Sequence, residues 1–257
     1  MTARRTLDDF VGKTAIVTGG TRGIGEGIAQ ELLARGANVV ITARKPDDLA
    51  SAVSRLDQIG TGRVLGVQGH AADEQHQHDA VAQAVERFGA VDLLVPNAAI
   101  NPQYGALVDS ELDVVRKVFD VNVVAVIGWT QQVWRQSMAE RGGSILVVAS
   151  AGGLRAVDLI GAYNASKAAV MHLVRQMSGE LAPRVRVNAI APALIKTRFA
   201  EALYEGREDE VAATYPMKRL GTPQDTASAA VFLLSDAAGW ITGETLTIDG
   251  GALAYDS

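Results

Sequence analysis

Seven short runs of apolar and β-branched residues are spaced along the chain: TAIVT from 14, NVVIT from 38, RVLGVQ from 63, VDLLVP from 91, SILVVAS from 144, RVRVNAI from 184 and ETLTID from 244. Most are separated by longer stretches with helical spacing, such as IGEGIAQELLARG and EQHQHDAVAQAVERFG. This alternation leaves few folds open. Parallel neighbours need crossover connections, crossovers are right-handed, and their helices cover both faces of the sheet. The runs are apolar almost throughout, as strands buried on both faces should be. The expected fold is α/β, a doubly wound parallel sheet of about seven strands with helices on both faces.

No internal repeat, charge block or proline-rich linker divides the 257 residues, and the 7 prolines are scattered, so one domain spanning 1–257 is expected. The net charge of −5 gives no electrostatic reason to bind nucleic acid or an anionic membrane surface. Cysteine is absent, which removes disulfides and thiolate chemistry and suits a reducing cytoplasm. Arg4 and Arg5 are followed by an acidic pair and a short strand-like run, not a leader peptide. VFDVNVVAVIGWTQQVW is interrupted by Asp120 and Asn122 and falls short of a membrane span. His70, His76 and His78 have no thiolates or converging carboxylates beside them, so no metal is expected and they read as a histidine-bearing helix surface.

TGGTRGIG follows the first strand and opens the first helix, with glycines at 19, 23 and 25. Such a turn brings backbone N–H groups and the positive end of a helix up to a diphosphate. A glycine turn can also do no more than pack strand against helix, but this position in a chain of βαβ units points to dinucleotide binding and a Rossmann-type sheet. Gly19, Thr21, Arg22, Gly23, Ile24 and Gly25 are the expected cradle. A carboxylate about 20 residues past the glycines would select NAD by binding a ribose hydroxyl. The second strand instead ends VVITARK, and Arg44 with Arg22 favours the 2′-phosphate of NADP(H), with NAD(H) still possible.

In YNASK, Tyr163 and Lys167 are four residues apart, which on a helix places them on one face about 6 Å apart. Glycine turn, tyrosine and lysine together resemble the short-chain dehydrogenase/reductase family, from about residue 11 to the C-terminal ITGETLTIDGG. The resemblance implies a catalytic tetrad: Ser150, 13 residues before the tyrosine, Asn122 in FDVNVV, Tyr163 and Lys167. It also implies cofactor contacts from Asn97, Ala98, Pro192, Ile195 and Thr197, besides Tyr163 and Lys167. A free phenol titrates near 10, and the Lys167 ammonium with an oxidised nicotinamide is expected to pull Tyr163 down toward working pH. Ser150 would donate to the substrate oxygen, and Asn122 would hold a water that links Lys167 to solvent.

The chain departs from the family pattern at four places. Pro96 and Ala99 flank the pair Asn97-Ala98 where asparagine and glycine are usual, His70 stands in place of an aspartate facing adenine, and Ala193 replaces a glycine. Pro96 should lose or move a strand-end hydrogen bond. The segment 194–218 is the expected substrate lid, with Phe199, Leu203, Tyr204 and Tyr215 as its apolar residues. NAAINPQYG and APALIKTRF look most like NADP-dependent carbonyl and retinal reductases, then 3-oxoacyl-thioester reductases. The implied reaction moves a hydride between NADP(H) and a ketone or secondary alcohol. The alternatives are an NAD-dependent secondary-alcohol or hydroxysteroid dehydrogenase and, from another class, a noncatalytic dinucleotide sensor. A homotetramer is implied as well, and the wide apolar arc of Ala168, Ala169, Val170, Met171, Leu173, Val174 and Met177 agrees with a subunit interface, the alternative being burial between the sheet and a neighbouring helix.

Overall fold

Every one of the seven runs is a strand. A computed structural model describes residues 9–60 and 63–255; Arg4 and Arg5 lie outside that range. The strands are β1 (Thr14–Thr18), β2 (Asn38–Ala43), β3 (Val64–Gln68), β4 (Leu93–Val95), β5 (Gly143–Val148), β6 (Val185–Pro192) and β7 (Thr245–Ile248). All pairings are parallel, in the order β3-β2-β1-β4-β5-β6-β7. Because β1 lies between β2 and β4, the chain winds outward in both directions from it. That topology opens a crevice at the C-terminal ends of β1 and β4, where ligands of doubly wound sheets bind.

The helices between strands are α1 (Gly23–Ala34), α2 (Pro46–Leu56), α3 (Glu74–Phe88), α4 (Leu112–Phe119), α5 (Ala125–Val133), α6 (Ala139–Arg141), α7 (Gly161–Leu181), α8 (Glu208–Ala213) and α9 (Pro223–Leu234). Side chains of β1 alternate between two cores. Ala15 and Val17 face Ile28, Leu32 and Leu33 of α1 and Val231 of α9, while Ile16 faces Val81 of α3, Trp129 of α5 and Val174 of α7. Both faces are apolar, which is why the strand runs lack polar alternation. α4 passes into α5 through a π-helical turn, Asp120–Val124, which contains Asn122.

One of two readings of the α7 arc is favoured, and one expectation about a helix surface is corrected. Val170, Met171, Val174 and Met177 are buried within the chain, because α7 packs on β6 and also on α4 and the π turn. The wide arc on α7 is thus filled largely inside one subunit, and Ala168 is what remains exposed from its centre. His76 is also no surface residue. It is buried edge-on against Trp129, with ring centroids 5.6 Å apart, and its Nε2 has no hydrogen-bond partner among the described residues.

Burial lowers the His76 pKa from 6.5 against the opposing charges of Asp73 and Asp79. The folded state therefore binds its proton less readily than the unfolded chain. This contribution to stability is complete above pH 6.5 and is lost as pH falls below it toward the folded value. The denaturation midpoint should drop between pH 7 and about 5.5, and His76→Gln should flatten that slope. An unchanged slope in the variant would assign the pH dependence elsewhere.

Candidate active site

The turn between β1 and α1 is built for close approach. Gly19 and Gly23 have φ of 64° and 60°, left-handed values that side chains other than glycine adopt at a cost. A Cβ on Gly19 would lie 3.2 Å from Ala98 Cα, and one on Gly23 would lie 3.1 Å from Thr197 Cγ2. Arg22 precedes α1 without a side-chain cap, so the N–H groups of the first helical turn have no capping acceptor. Glycine cradle and uncapped helix start fit a diphosphate. Gly25 serves differently: its Cβ would lie 2.5 Å from both Asn97 Nδ2 and Gly19 O, so it lets the helix start pack on its own turn and does not line the cleft.

The end of β4 is sewn to the end of β1. Thr18 Oγ1 accepts from the N–H groups of Asn97 and Ala98, both at 2.9 Å, and Asn97 Nδ2 donates to the carbonyls of Thr18 and Gly19. Pro96 has no N–H, but its carbonyl accepts from Val148 N at 3.0 Å. The hydrogen bonding has moved to the neighbouring residues. Ala193 likewise meets no strain: its φ is not positive, and its N–H donates to Ile248 O at 3.0 Å.

These elements enclose a cleft of about 510 Å³. Of the sequence-predicted residues, Gly19, Thr21, Arg22, Gly23, Ile24, Arg44, Asn97, Ala98, Ser150, Tyr163, Lys167, Pro192, Ile195 and Thr197 line it. Gly25 and Asn122 stand behind its wall. Arg22, Arg44 and Lys45 are exposed at one end, and no carboxylate pairs with them among the described residues. His70 is in the same end, with Nδ1 accepting from Ala72 N at 3.2 Å.

Lys167 is buried, and its Nζ donates to Val148 O at 2.7 Å while lying 5.6 Å from the centre of the Tyr163 ring. Ser150 Oγ accepts from Gly152 N at 3.2 Å, which fixes it at the end of β5. The expected lowering of the tyrosine does not hold for the protein's own groups. Burial pushes Tyr163 up to about 12, outweighing a hydrogen bond with Ser150 that acts the other way, and burial brings Lys167 down to about 8. Both shifts favour the uncharged form, because desolvation penalises phenolate and ammonium alike.

Asn122 is buried, and both hydrogens of its amide are committed. Its Oδ1 accepts from Ile100 N at 2.8 Å, and its Nδ2 donates to Ile100 O at 3.0 Å and to Ser166 Oγ at 3.0 Å. Ser166 in turn donates to Tyr163 O at 2.7 Å. The side chain thus ties the segment following β4 to the Tyr163 helix and has no donor left for a water.

The lid segment carries a short turn, Glu201–Leu203, and α8. Phe199 is half-exposed, with its ring 6.0 Å from that of Tyr163. Tyr204 donates to Thr197 O at 3.5 Å, and Tyr215 Oη accepts from Leu194 N at 3.4 Å. Among the cleft residues that sequence reasoning did not single out are Tyr104, Arg155 and Asp48. Nor did it single out Arg55, which bonds Glu26 Oε1 at 2.7 Å and Thr21 O at 3.2 Å and so braces the glycine turn from α2. None of the four belongs to a periodic pattern, so no spacing marks them.

Fold and cleft define a dinucleotide-dependent oxidoreductase. A family model described as enoyl-(acyl carrier protein) reductase matches residues 19–252. Dehydrogenase/reductase SDR family member 4 of Bos taurus is 39% identical over 99% of this chain and 91% of its own length. Tropinone reductase-like 3 of Erythroxylum coca is 37% identical over 94% and 93%. Among solved structures, a short-chain type dehydrogenase/reductase from Mycobacterium ulcerans superposes with a TM-score of 0.92 at 33% identity, covering 97% of this chain and 92% of the other. Levodione reductase gives 0.90 at 28% identity, covering 96% and 100%. The chain belongs to the short-chain dehydrogenase/reductase family, whose members use nicotinamide dinucleotides and act on alcohol or carbonyl groups of small molecules.

Proposed function

We propose that the protein is an NADP(H)-dependent carbonyl reductase that interconverts a ketone and a secondary alcohol. The observation that carries this reading is one cleft holding Ser150, Tyr163 and Lys167 beside the glycine cradle, with Arg22 and Arg44, unpaired among the described residues, at its far end. When bound, the reduced nicotinamide supplies a hydride to the carbonyl carbon and becomes oxidised. Tyr163 gives its proton to the carbonyl oxygen, and Ser150 donates a hydrogen bond to that oxygen as charge develops. A phenol held up to about 12 by burial is fully protonated at neutral pH, which suits the reductive direction. Lys167 supplies the ammonium beside it. Asn122 is a positioning residue, holding Ile100 and, through Ser166, the backbone of Tyr163.

The reading extends to a single domain over 1–257, a lid over 194–218, a cytoplasmic location and a homotetramer. No helix among the described residues is long and apolar enough to cross a membrane. Initial rates with NADPH and NADH across ketones, aldehydes and 3-oxoacyl thioesters test the activity. Turnover with NADPH supports it; binding of NADPH with no turnover across the panel favours the sensor.

Lys167 gives a pH prediction. Its ammonium is present below about pH 8 and lost above it. The kcat/KM for the cofactor, which reports the free enzyme, should be level from pH 6 to 7.5 and fall above about 8. A profile level to pH 9.5 would show that the ammonium is not needed for cofactor capture.

A further inference from the structure

Like Arg198, Arg155 is a cleft residue with no part in the reaction just described. It lines the substrate half, where Tyr104, Val157, Ile160, Leu194, Phe199 and Leu203 make the wall largely apolar. The one carboxylate among the described lining residues, Asp48, is on α2 at the opposite end. Arg155 is exposed, and its guanidinium has no hydrogen-bond or ion-pair partner among the described residues.

The loop that carries it is held on several sides. Leu154 N and Arg155 N donate to Ala151 O at 2.9 and 3.2 Å, directly after Ser150. Asn164, next to Tyr163 on α7, donates through Nδ2 to Val157 O at 2.8 Å. Gly105 N donates to Leu159 O at 3.0 Å, and Gly105 forms a parallel bridge with Ile160. Leu159 is kept at φ 67°, a conformation a leucine adopts only where its surroundings impose it. Ser150 and Tyr163, the two groups aimed at the carbonyl oxygen, thus share a braced frame with Arg155. Tyr215 lines the same cleft, where burial raises its pKa against a hydrogen bond from Leu194 N and the charge of Arg155.

A cation without a partner among the described residues, on a largely apolar wall, gains most from an anion, since a guanidinium offers a planar fork of donors that fits a carboxylate. We propose that the substrate of this site is an oxo acid: an apolar carbonyl compound whose carboxylate, remote from the reacting carbon, is held by Arg155 at the mouth of the cleft. This rests on the carbonyl-reductase reading. The redox step is unchanged: the oxo acid becomes a hydroxy acid, and the carboxylate takes no part in bond making.

The test pairs acids with their methyl esters, an oxoheptanoate and para-acetylbenzoate each beside its ester, with wild type, Arg155→Met, Arg155→Lys and, as a second cleft cation, Arg198→Met. The wild type should favour the acids by roughly fivefold or more in kcat/KM, the scale of a partly exposed ion pair. Arg155→Met should lose that preference through the acids alone, Arg155→Lys should recover part of it, and Arg198→Met should keep it. Equal rates for acid and ester in the wild type, an equal fall for both in Arg155→Met, or a preference that vanishes only in Arg198→Met would overturn the proposal. If no compound is reduced, the reductase reading fails, and calorimetric binding of the same acids and esters to the enzyme with NADP+ decides the role of Arg155. Tighter binding of the acids that depends on Arg155 upholds it, and equal binding overturns it.

Discussion

Tyr163→Phe should lower kcat for ketone reduction by about 10²- to 10⁴-fold, the range a positioned proton donor contributes, while NADPH binds as before. The substitution removes one oxygen and keeps the ring, which lies 6.0 Å from Phe199 and is approached by the Lys167 ammonium at 5.6 Å. Packing therefore survives, and the loss reads the hydroxyl. At neutral pH the phenol is protonated, since burial holds its pKa near 12, and Ser150 is left to polarise the carbonyl alone. Rates near wild type would move the proton donor elsewhere; a parallel loss of NADPH affinity would mean the oxygen serves binding instead. Ser150→Ala should cost less, because one neutral hydrogen bond is lost while the proton source stays.

The sheet was legible residue by residue because its strands are buried on both faces, so each apolar run stands out against the polar helix surfaces between. The glycine turn was legible for a similar reason: backbone conformation restricts those positions to few residue types. Tyr163 and Lys167 could be paired because a helical turn fixes their separation, and Ser150 joined them only through the resemblance to the family. What escaped depends on contacts between segments distant in sequence. Asn122 was placed in the site, yet its amide is spent on Ile100 and Ser166, and nothing local in FDVNVV indicates that. The arc of α7 looked like a surplus because α4 and the π turn, which cover it, are about 50 residues earlier in the chain. The expected lowering of Tyr163 included the charge of an oxidised nicotinamide, and for the protein's own groups burial decides the direction. A neighbouring cation and burial oppose one another at a phenol, and which wins depends on how completely the fold removes water.

The other large effect should fall on the choice of dinucleotide. Replacing both Arg22 and Arg44 by alanine should raise the KM for NADPH by roughly thirtyfold, about 2 kcal/mol for two charge-assisted contacts discounted for solvent exposure, and leave the KM for NADH within about twofold. The argument is one of charge without a competing partner. Arg55, a few residues along, is already bonded to Glu26 and Thr21. Arg22 and Arg44 have no such engagement among the described residues, and they flank the cleft where β1 and β2 end. β2 ends without a carboxylate that could accept from a ribose hydroxyl, so the site has no group that rewards NADH in particular. Asp48, on the first turns of α2, opposes a phosphate only weakly because Lys45 lies beside it in the same end of the cleft. Salt separates the two coenzymes further: between 50 and 300 mM the KM for NADPH should rise in the wild type and be nearly level in the double variant, since screening acts on the contacts that were removed. If both KM values climb together in the variant, the arginines hold the diphosphate shared by the two coenzymes. If neither moves, they are solvated surface charges, and the preference for NADPH must be sought at Lys45 and His70.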